Sequence, residues 1–370
     1  MSIDVLDHPP EYSVFLHDYL LPGRPVIIKG LCRDWQIMKA WLAQDGTIDY
    51  DYLIAKYGDS QVPVVVQTRD CQDRSEMTLK EFVEHLRENE DAPSCNEERR
   101  IYLKDWHCVQ ENPEDELYAT PDIFQDDWMN EQAVNRRTDD YRFVYLGGPN
   151  TYTPLHHDVY LSYSWSASIT GTKRWVFIPP QFKEALENFN GEMPADIFDP
   201  CLSVANHPAL AQMRAAAVVV EQNSGETIFV PSGWFHSVRN ITTCLSVNHN
   251  WCNATNITIM YHALVEQVAA GEAAIDDLRD VVPSDEFYDL VQNMTRANWG
   301  MAWQEFWTMV RYHMNRLQHA TEGYISDKWI ITEQHRPSRE WEDGRVTKLM
   351  KDWAEYKNNA HTRNIILDIA

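Results

Sequence analysis

Two stretches hold residues able to bind a metal: LHHDVY, Leu155 to Tyr160, and GETIFVPSGWFHSVRN, Gly225 to Asn240. Side chains alternate along an extended chain, so residues two apart share a face. His156 and Asp158 therefore point one way and His157 the other. His236 follows a Pro-Ser-Gly turn that can swing a strand back, which makes it the third candidate ligand. Two imidazoles and one carboxylate occupy three positions of an octahedral metal and leave three open, the geometry of non-haem Fe(II) chemistry. Zinc prefers four tetrahedral ligands, and the sequence has no HExxH. A histidine two before an aspartate also arises by chance, and an ordinary surface or core histidine is the competing reading.

Such ligands must be carried by strands. Between Tyr141 and Trp251 run short apolar segments separated by Gly, Pro and Asn: RFVYLG, LSYSWSASI, KRWVFIPP, AAAVVVEQ, ETIFVP, HSVRNI and CLSVNHNW. That spacing predicts a barrel or sandwich. Upstream, RPVIIKG reads as a buried strand, DYDYLIAKYGDS as a short helix closed near Gly58, and PVVVQT as extended chain. In MTLKEFVEHLREN, Leu79, Phe82, Val83 and Leu86 recur at helical spacing after a Thr78 cap. Residues 88–100 and 110–127 are acidic, contain proline and lack periodicity, which predicts surface loops. Beyond Asn256 the pattern is helical, with Trp303, Phe306, Trp307, Val310, Met314 and Leu317 on one face, for core packing or contact with a second copy. The expected organisation is an N-terminal α/β region over 1–135 packing on the core, a β core over 136–256 and a helical region over 257–370.

The 32 basic and 56 acidic residues leave a net charge of −24, which disfavours nucleic acid and anionic membranes as direct partners. Seven cysteines without a CxxC pair fit a reducing compartment rather than a disulfide framework. The N-terminus lacks a basic patch followed by an apolar run, so a soluble protein of the cytoplasm, with a nuclear pool, is expected.

TPLHHD, GTKRWVFIPP, GETIFVPSGWFHSVRN and SVNHNW, in this order and spacing, resemble the jumonji-C, cupin-like 2-oxoglutarate oxygenases, and RPVIIKGLCRDW and YLKDWH resemble that family's N-terminal region. The resemblance covers most of residues 20–260. It implies a mainly β fold with helical additions, a double-stranded β-helix (cupin or jelly-roll) core. It also implies Fe(II) held by His156, Asp158 and His236, with 2-oxoglutarate and O2 as the other participants. Lys173 fills the family's cation position for the far carboxylate and Thr153 its hydroxyl position. On alternation Lys173 shares a face with Trp175, while Arg174 points away. Asn248 and Asn250 match positions that line the pocket in relatives. Ser164 and Ser166 stand where relatives carry a polar cosubstrate contact, and Tyr145 where an aromatic hydroxyl reaches the cosubstrate. The implied reaction decarboxylates 2-oxoglutarate to succinate and hydroxylates an unactivated C–H bond. The branch it most resembles implies a protein substrate, a lysine side chain of the eukaryotic translation release factor. A histone lysine demethylase is the alternative within the superfamily, although there the carboxylate ligand is often glutamate. A cupin-like binding protein without catalysis is a third reading, against which the intact ligand set counts. The C-terminal region matches only in being helical, and in relatives such helices dimerise or present substrate.

Overall fold

The computed structural model describes residues 2–68, 71–90, 99–189, 193–319 and 333–356. Its strands are β1 (Asp4–Leu6), β2 (Val26–Lys29), β3 (Gln61–Gln67), β4 (Gln72–Thr78), β5 (Arg100–Trp106), β6 (Arg142–Gly147) and β7 (Tyr152–His156). They continue with β8 (Tyr163–Thr170), β9 (Lys173–Ile178), β10 (Val218–Gln222), β11 (Glu226–Val230), β12 (Phe235–Asn240) and β13 (Cys244–Trp251). One sheet runs β1-β2-β11-β8-β13-β6-β5-β3-β4 and the other β10-β9-β12-β7. Apart from the parallel β1–β2 pair, the pairings are antiparallel. Residues of both sheets line one cavity, as in a jelly roll.

The alternation along β8 and β13 explains why that interior is polar. Trp165, Ala167, Ile169, Leu245 and Val247 point outward into the main hydrophobic core, beneath Phe15, Ile37, Trp41 and Phe82 of the N-terminal helices. Ser164, Ser166, Asn248 and Asn250, one residue out of phase, point into the cavity. The outer face of the smaller sheet, with Leu155, Val176, Ile178 and Phe235, is covered by Leu186, Phe189, Leu210 and Met213 from the segment between β9 and β10. With both outer faces covered, the apolar residues stabilise the barrel from outside and the interior is left for ligands.

The first 135 residues do more than pack on the core: they supply five strands of the large sheet. Among these, β4 was not legible as a strand, since QDRSEMT is polar and largely exposed. Charged side chains on an edge strand guard it against pairing with other chains. The helix Leu79–Glu90 starts with a capping box, in which the Glu81 N–H donates to Thr78 Oγ1 at 3.2 Å and the Thr78 N–H to Glu81 Oε2 at 2.9 Å. It runs past the loop boundary expected at residue 88, and β5 begins at Arg100, while 91–98 lie outside the described residues. The expected helix near Gly58 spans Tyr50–Tyr57, capped by Asp49. In AAAVVVEQ the alanines finish the helix Leu210–Ala216, and the strand starts only at Val218.

The surface loop expected over 110–127 is a correction. Leu117, Ile123 and Phe124 are buried, Phe124 stacks on Trp165 with centroids 5.4 Å apart, and Tyr118 contacts His249. Its acids do not keep it in water: the buried Asp127 caps the helix Trp128–Arg136 by accepting from the Asn130 N–H, and Asp126 accepts from Trp128 Nε1.

The helices Ile257–Ala274, Ser284–Trp299, Trp303–His319 and Arg339–Glu355 share a second core. Trp303, Phe306, Trp307 and Val310 are buried there with Tyr261, Leu264 and Trp353, and Met314 packs against them. This stripe is core of its own chain; the side chain of Leu317 lies outside the described residues.

Candidate active site

His236 on β12 and His156 at the end of β7 are direct cross-strand partners, and their ring centroids are 4.3 Å apart. The turn before β12 contains Gly233 at φ 74, a left-handed backbone that glycine adopts without strain. Pairing stops at His156, but the chain stays extended through Asp158 (φ −65, ψ 154), which preserves the alternation. Asp158 therefore returns to the cavity, while the His157 ring goes to Phe235, 5.4 Å away. Asp158 Oδ2 lies 4.0 Å from His236 Nε2, and one potential ligand atom from each of the three residues lies within 4.8 Å of the others.

The imidazole nitrogens are already sorted. His156 Nδ1 is 2.8 Å from the Pro154 carbonyl and His236 Nδ1 is 3.3 Å from the Trp234 carbonyl. A carbonyl only accepts, so each Nδ1 carries the proton and each Nε2 keeps its lone pair for a metal. Burial, with His236 adding to it, pushes the His156 pKa down to about 3, and burial lowers that of His236. Both rings stay neutral, as metal ligands must. Burial alone would raise the Asp158 carboxyl, but the hydrogen-bond donors Ser164 and Asn250 work against it and the group lies below the usual carboxylate range. A neutral-neutral-anionic donor set with three free positions fits Fe(II).

After Asp158 the chain makes a strained turn, with Tyr160 at φ 58 and Leu161 at φ 51. The turn is held from outside: Tyr160 Oη lies 3.1 Å from Tyr141 Oη, and its ring packs edge-on to Trp299. Gly300 ends that helix at φ 81, where a Cβ would come within 2.6 Å of Tyr160 Oη. The C-terminal helices thus brace the turn that carries the metal carboxylate.

At the other end of the cavity Lys173 is fully buried, and burial pushes its ammonium down to about 8. Among the described residues it makes one hydrogen bond, to Ser246 Oγ at 2.6 Å, and no ion pair. A buried cation with no anion beside it suits a ligand carboxylate. Arg174 takes the opposite face, its guanidinium 5.9 Å from the Phe198 ring.

Thr153, Tyr145, Ser164, Ser166, Asn248 and Asn250 line the same cavity as the triad and Lys173. Their polar atoms are partly committed. Ser164 Oγ donates to Asp158 Oδ2 at 2.7 Å, so this hydroxyl orients the metal carboxylate instead of reaching for the cosubstrate. Ser166 Oγ donates to Asn248 Oδ1 at 2.9 Å, and Asn250 Nδ2 donates to Ser162 Oγ at 3.2 Å. The Tyr145 hydroxyl, the candidate cosubstrate donor, donates instead to Asp105 Oδ1 at 2.7 Å. Sequence reasoning passed over Tyr102, Lys104, Trp165 and Val238, which also line the cavity, as does Trp175 on the face it was expected to share with Lys173. The pair Tyr102 and Lys104 had a signal, two residues apart in YLKDWH.

A family described as a cupin-like domain matches residues 12–257. The 2-oxoglutarate and iron-dependent oxygenase JMJD4 of Gallus gallus is 34% identical over 305 residues, covering 81% of this chain and 71% of that protein. The protein of the same name in Homo sapiens is 32% identical over 304 residues, covering 81% and 72%. The arginine-specific demethylase JMJ20 of Arabidopsis thaliana is 36% identical over 326 residues, covering 83% and 69%. The matched span contains both imidazoles, the carboxylate between them and the barrel that holds them, and the chain belongs to the cupin-like, jumonji-C family of 2-oxoglutarate and iron-dependent oxygenases.

Proposed function

We propose that this oxygenase is a protein hydroxylase acting on a lysine side chain of the eukaryotic translation release factor. The observation that carries the reading is the neutral His156–His236 pair with Asp158 in a cavity that also holds Lys173, together with the similarity to the JMJD4 oxygenases. Iron, O2 and 2-oxoglutarate supply the oxidising power when bound. The chain's part is to hold them: His156 Nε2, His236 Nε2 and an Asp158 oxygen take the metal, with Ser164 fixing the carboxylate. Lys173 and Thr153 take the far carboxylate of 2-oxoglutarate. The net charge of −24 favours encounter with a basic segment.

A second reading, removal of methyl groups from arginine, is favoured by the Arabidopsis thaliana relative and by a bifunctional arginine demethylase and lysyl-hydroxylase of Caenorhabditis briggsae that is 26% identical over 258 residues. Both readings bring a cationic side chain to the iron. Incubation with Fe(II), ascorbate and 2-oxoglutarate, followed by mass spectrometry, separates them. One added oxygen on a release-factor lysine supports the proposal. Loss of methyl groups from arginine- or lysine-methylated histone peptides, with the release factor untouched, transfers the function to a demethylase.

Residence in the cytoplasm, with a nuclear pool, belongs to the same proposal, and no helix among the described residues is long and apolar enough to cross a membrane. So does a homodimer through the C-terminal helices. Its contact would fall on their exposed sides, because the aromatic stripe is used within the chain.

A further inference from the structure

One buried amide ties the two sheets together beside the candidate metal ligands. Gln222, at the end of β10 and completely buried, is the cross-strand partner of Lys173. Its Nε2 donates to the Ser166 carbonyl at 2.7 Å and to the Glu226 carbonyl at 2.9 Å, on β8 and β11 of the larger sheet. Its Oε1 accepts from the indole Nε1 of Trp175 at 2.9 Å, on β9 of the smaller one. Only one orientation of the amide satisfies this set, because turning it over would aim an oxygen at two carbonyls and an NH2 group at an indole N–H. With both hydrogens and the oxygen committed, a buried group of this kind rigidifies what it touches.

What it fixes is an aromatic wall against His236. Lys173, Trp175 and Phe177 alternate to one face of β9, and Phe177 is the cross-strand partner of His236. The Trp175 and His236 ring centroids are 5.7 Å apart with the planes 28° from parallel, and Trp175 stacks on Phe177 at 5.6 Å and 6°. Phe177 in turn lies 6.0 Å from His236. The imidazole has need of such a wall. Its Nδ1 anchor to the Trp234 carbonyl is 3.3 Å long, beyond the usual range for an N–H···O bond, whereas that of His156 is 2.8 Å. A weak anchor leaves the ring plane soft, and a rigid indole beside it limits the rotation. Without Gln222 the indole N–H would be buried and unbonded, which costs about 1 to 3 kcal/mol and favours a shift of the ring.

We propose that Gln222 is a positioning residue for His236: by holding the indole of Trp175 it fixes the plane of the imidazole, and with it the direction of the Nε2 lone pair. It touches neither metal nor cosubstrate and acts only through Trp175. The inference concerns the metal site alone and is independent of which protein is hydroxylated.

Electron paramagnetic resonance on the full chain loaded with Mn(II) or Cu(II) tests it without turnover. Gln222→Met keeps the volume and deletes the bond to the indole. It should weaken Mn(II) about tenfold, the low end for groups outside the ligand set, and shift the Cu(II) spectrum, with His236→Ala as the reference for a site lacking that imidazole. Gln222→Glu keeps an oxygen for the Trp175 N–H but loses a donor to the two carbonyls. Its Mn(II) affinity and Cu(II) spectrum should stay close to wild type even where its thermal melt falls. If Gln222→Met lowers the melt and leaves both metal readouts as in wild type, the residue only ties the sheets and the inference is overturned. Equal changes in the two variants overturn it as well, by making the bonds to Ser166 and Glu226 the cause. Where either variant fails to fold, Trp175→Phe deletes the same bond from the indole side while keeping a ring against His236. It should shift the Cu(II) spectrum, and an unchanged spectrum overturns the assignment.

Discussion

Both imidazoles of the metal site have their Nδ1 protons tied to backbone carbonyls, so the ligating atoms are fixed before any metal arrives. Replacing His156, Asp158 or His236 by alanine removes one of three ligands with no substitute nearby among the described residues. Each variant is expected to lose succinate release while keeping its circular dichroism and thermal melt close to wild type. Ser164 acts one step further out. Ser164→Ala removes the 2.7 Å donor of the Asp158 carboxylate and should weaken metal binding about tenfold to a hundredfold, read by Mn(II) titration against an unchanged melt. The placement of His156, Asp158 and Lys173 was legible, because they obey a two-residue alternation visible in the letters. The bonding of Ser164, Ser166 and Tyr145 was not. A hydroxyl's partner depends on which residue of another strand lies opposite, and Asp105 reaches Tyr145 only through a bulge.

Among the elements, the segment over 110–127 departs furthest from its sequence. Its prolines and acids resemble a solvated loop, but Phe124 is completely buried between Phe15, Trp165 and Trp251. Phe124→Ala should therefore cost about 3 to 5 kcal/mol, the range for a large aromatic deleted from a packed core. Urea unfolding measures it, and a cost below about 0.5 kcal/mol, usual for an exposed site, would return the segment to the surface. Periodicity failed here because short 3-10 turns have no apolar repeat to display, and because Asp127 is buried as a helix cap rather than exposed as a charge. It succeeded in the barrel, where β8 and β13 repeat every second residue over eight positions.

At the scale of the molecule, the N-terminal strands continue the larger of the barrel's two sheets, so the buried titratable groups on and against that sheet are expected to be exposed together on unfolding. His249 is completely buried, stacked on Trp165 with centroids 4.0 Å apart, and lies 2.6 Å from the Tyr118 hydroxyl. Burial, aided by Arg142, pushes its pKa well below 6.5. The folded ring stays neutral, while the unfolded chain takes up a proton as pH falls through about 6.5. Stability is therefore lost on acidification, by at most about 1.4 kcal/mol per pH unit for one group. Asp127 works in the opposite sense. Burial raises it to about 8, so it is protonated in the fold, and raising the pH toward 8 costs stability. Comparing urea unfolding of wild type and His249→Phe between pH 5 and 6.5 isolates the histidine. The variant should show the shallower loss with acid, and equal slopes would mean that His249 is protonated in the fold. The continuity of the sheet could not be read from the sequence, since pairing between residues as distant as Tyr102 and Gly147 leaves no local pattern.

The direct cross-strand pairing of His236 with His156 has one more consequence. The backbone register, and not the ion, holds the two imidazoles side by side, so the site offers every first-row divalent ion the same donors. Intrinsic affinities rise from Mn(II) through Fe(II), Co(II) and Ni(II) to Cu(II). Ions later in that series therefore compete with iron for the site, and the fraction able to turn over depends on the relative supply of iron.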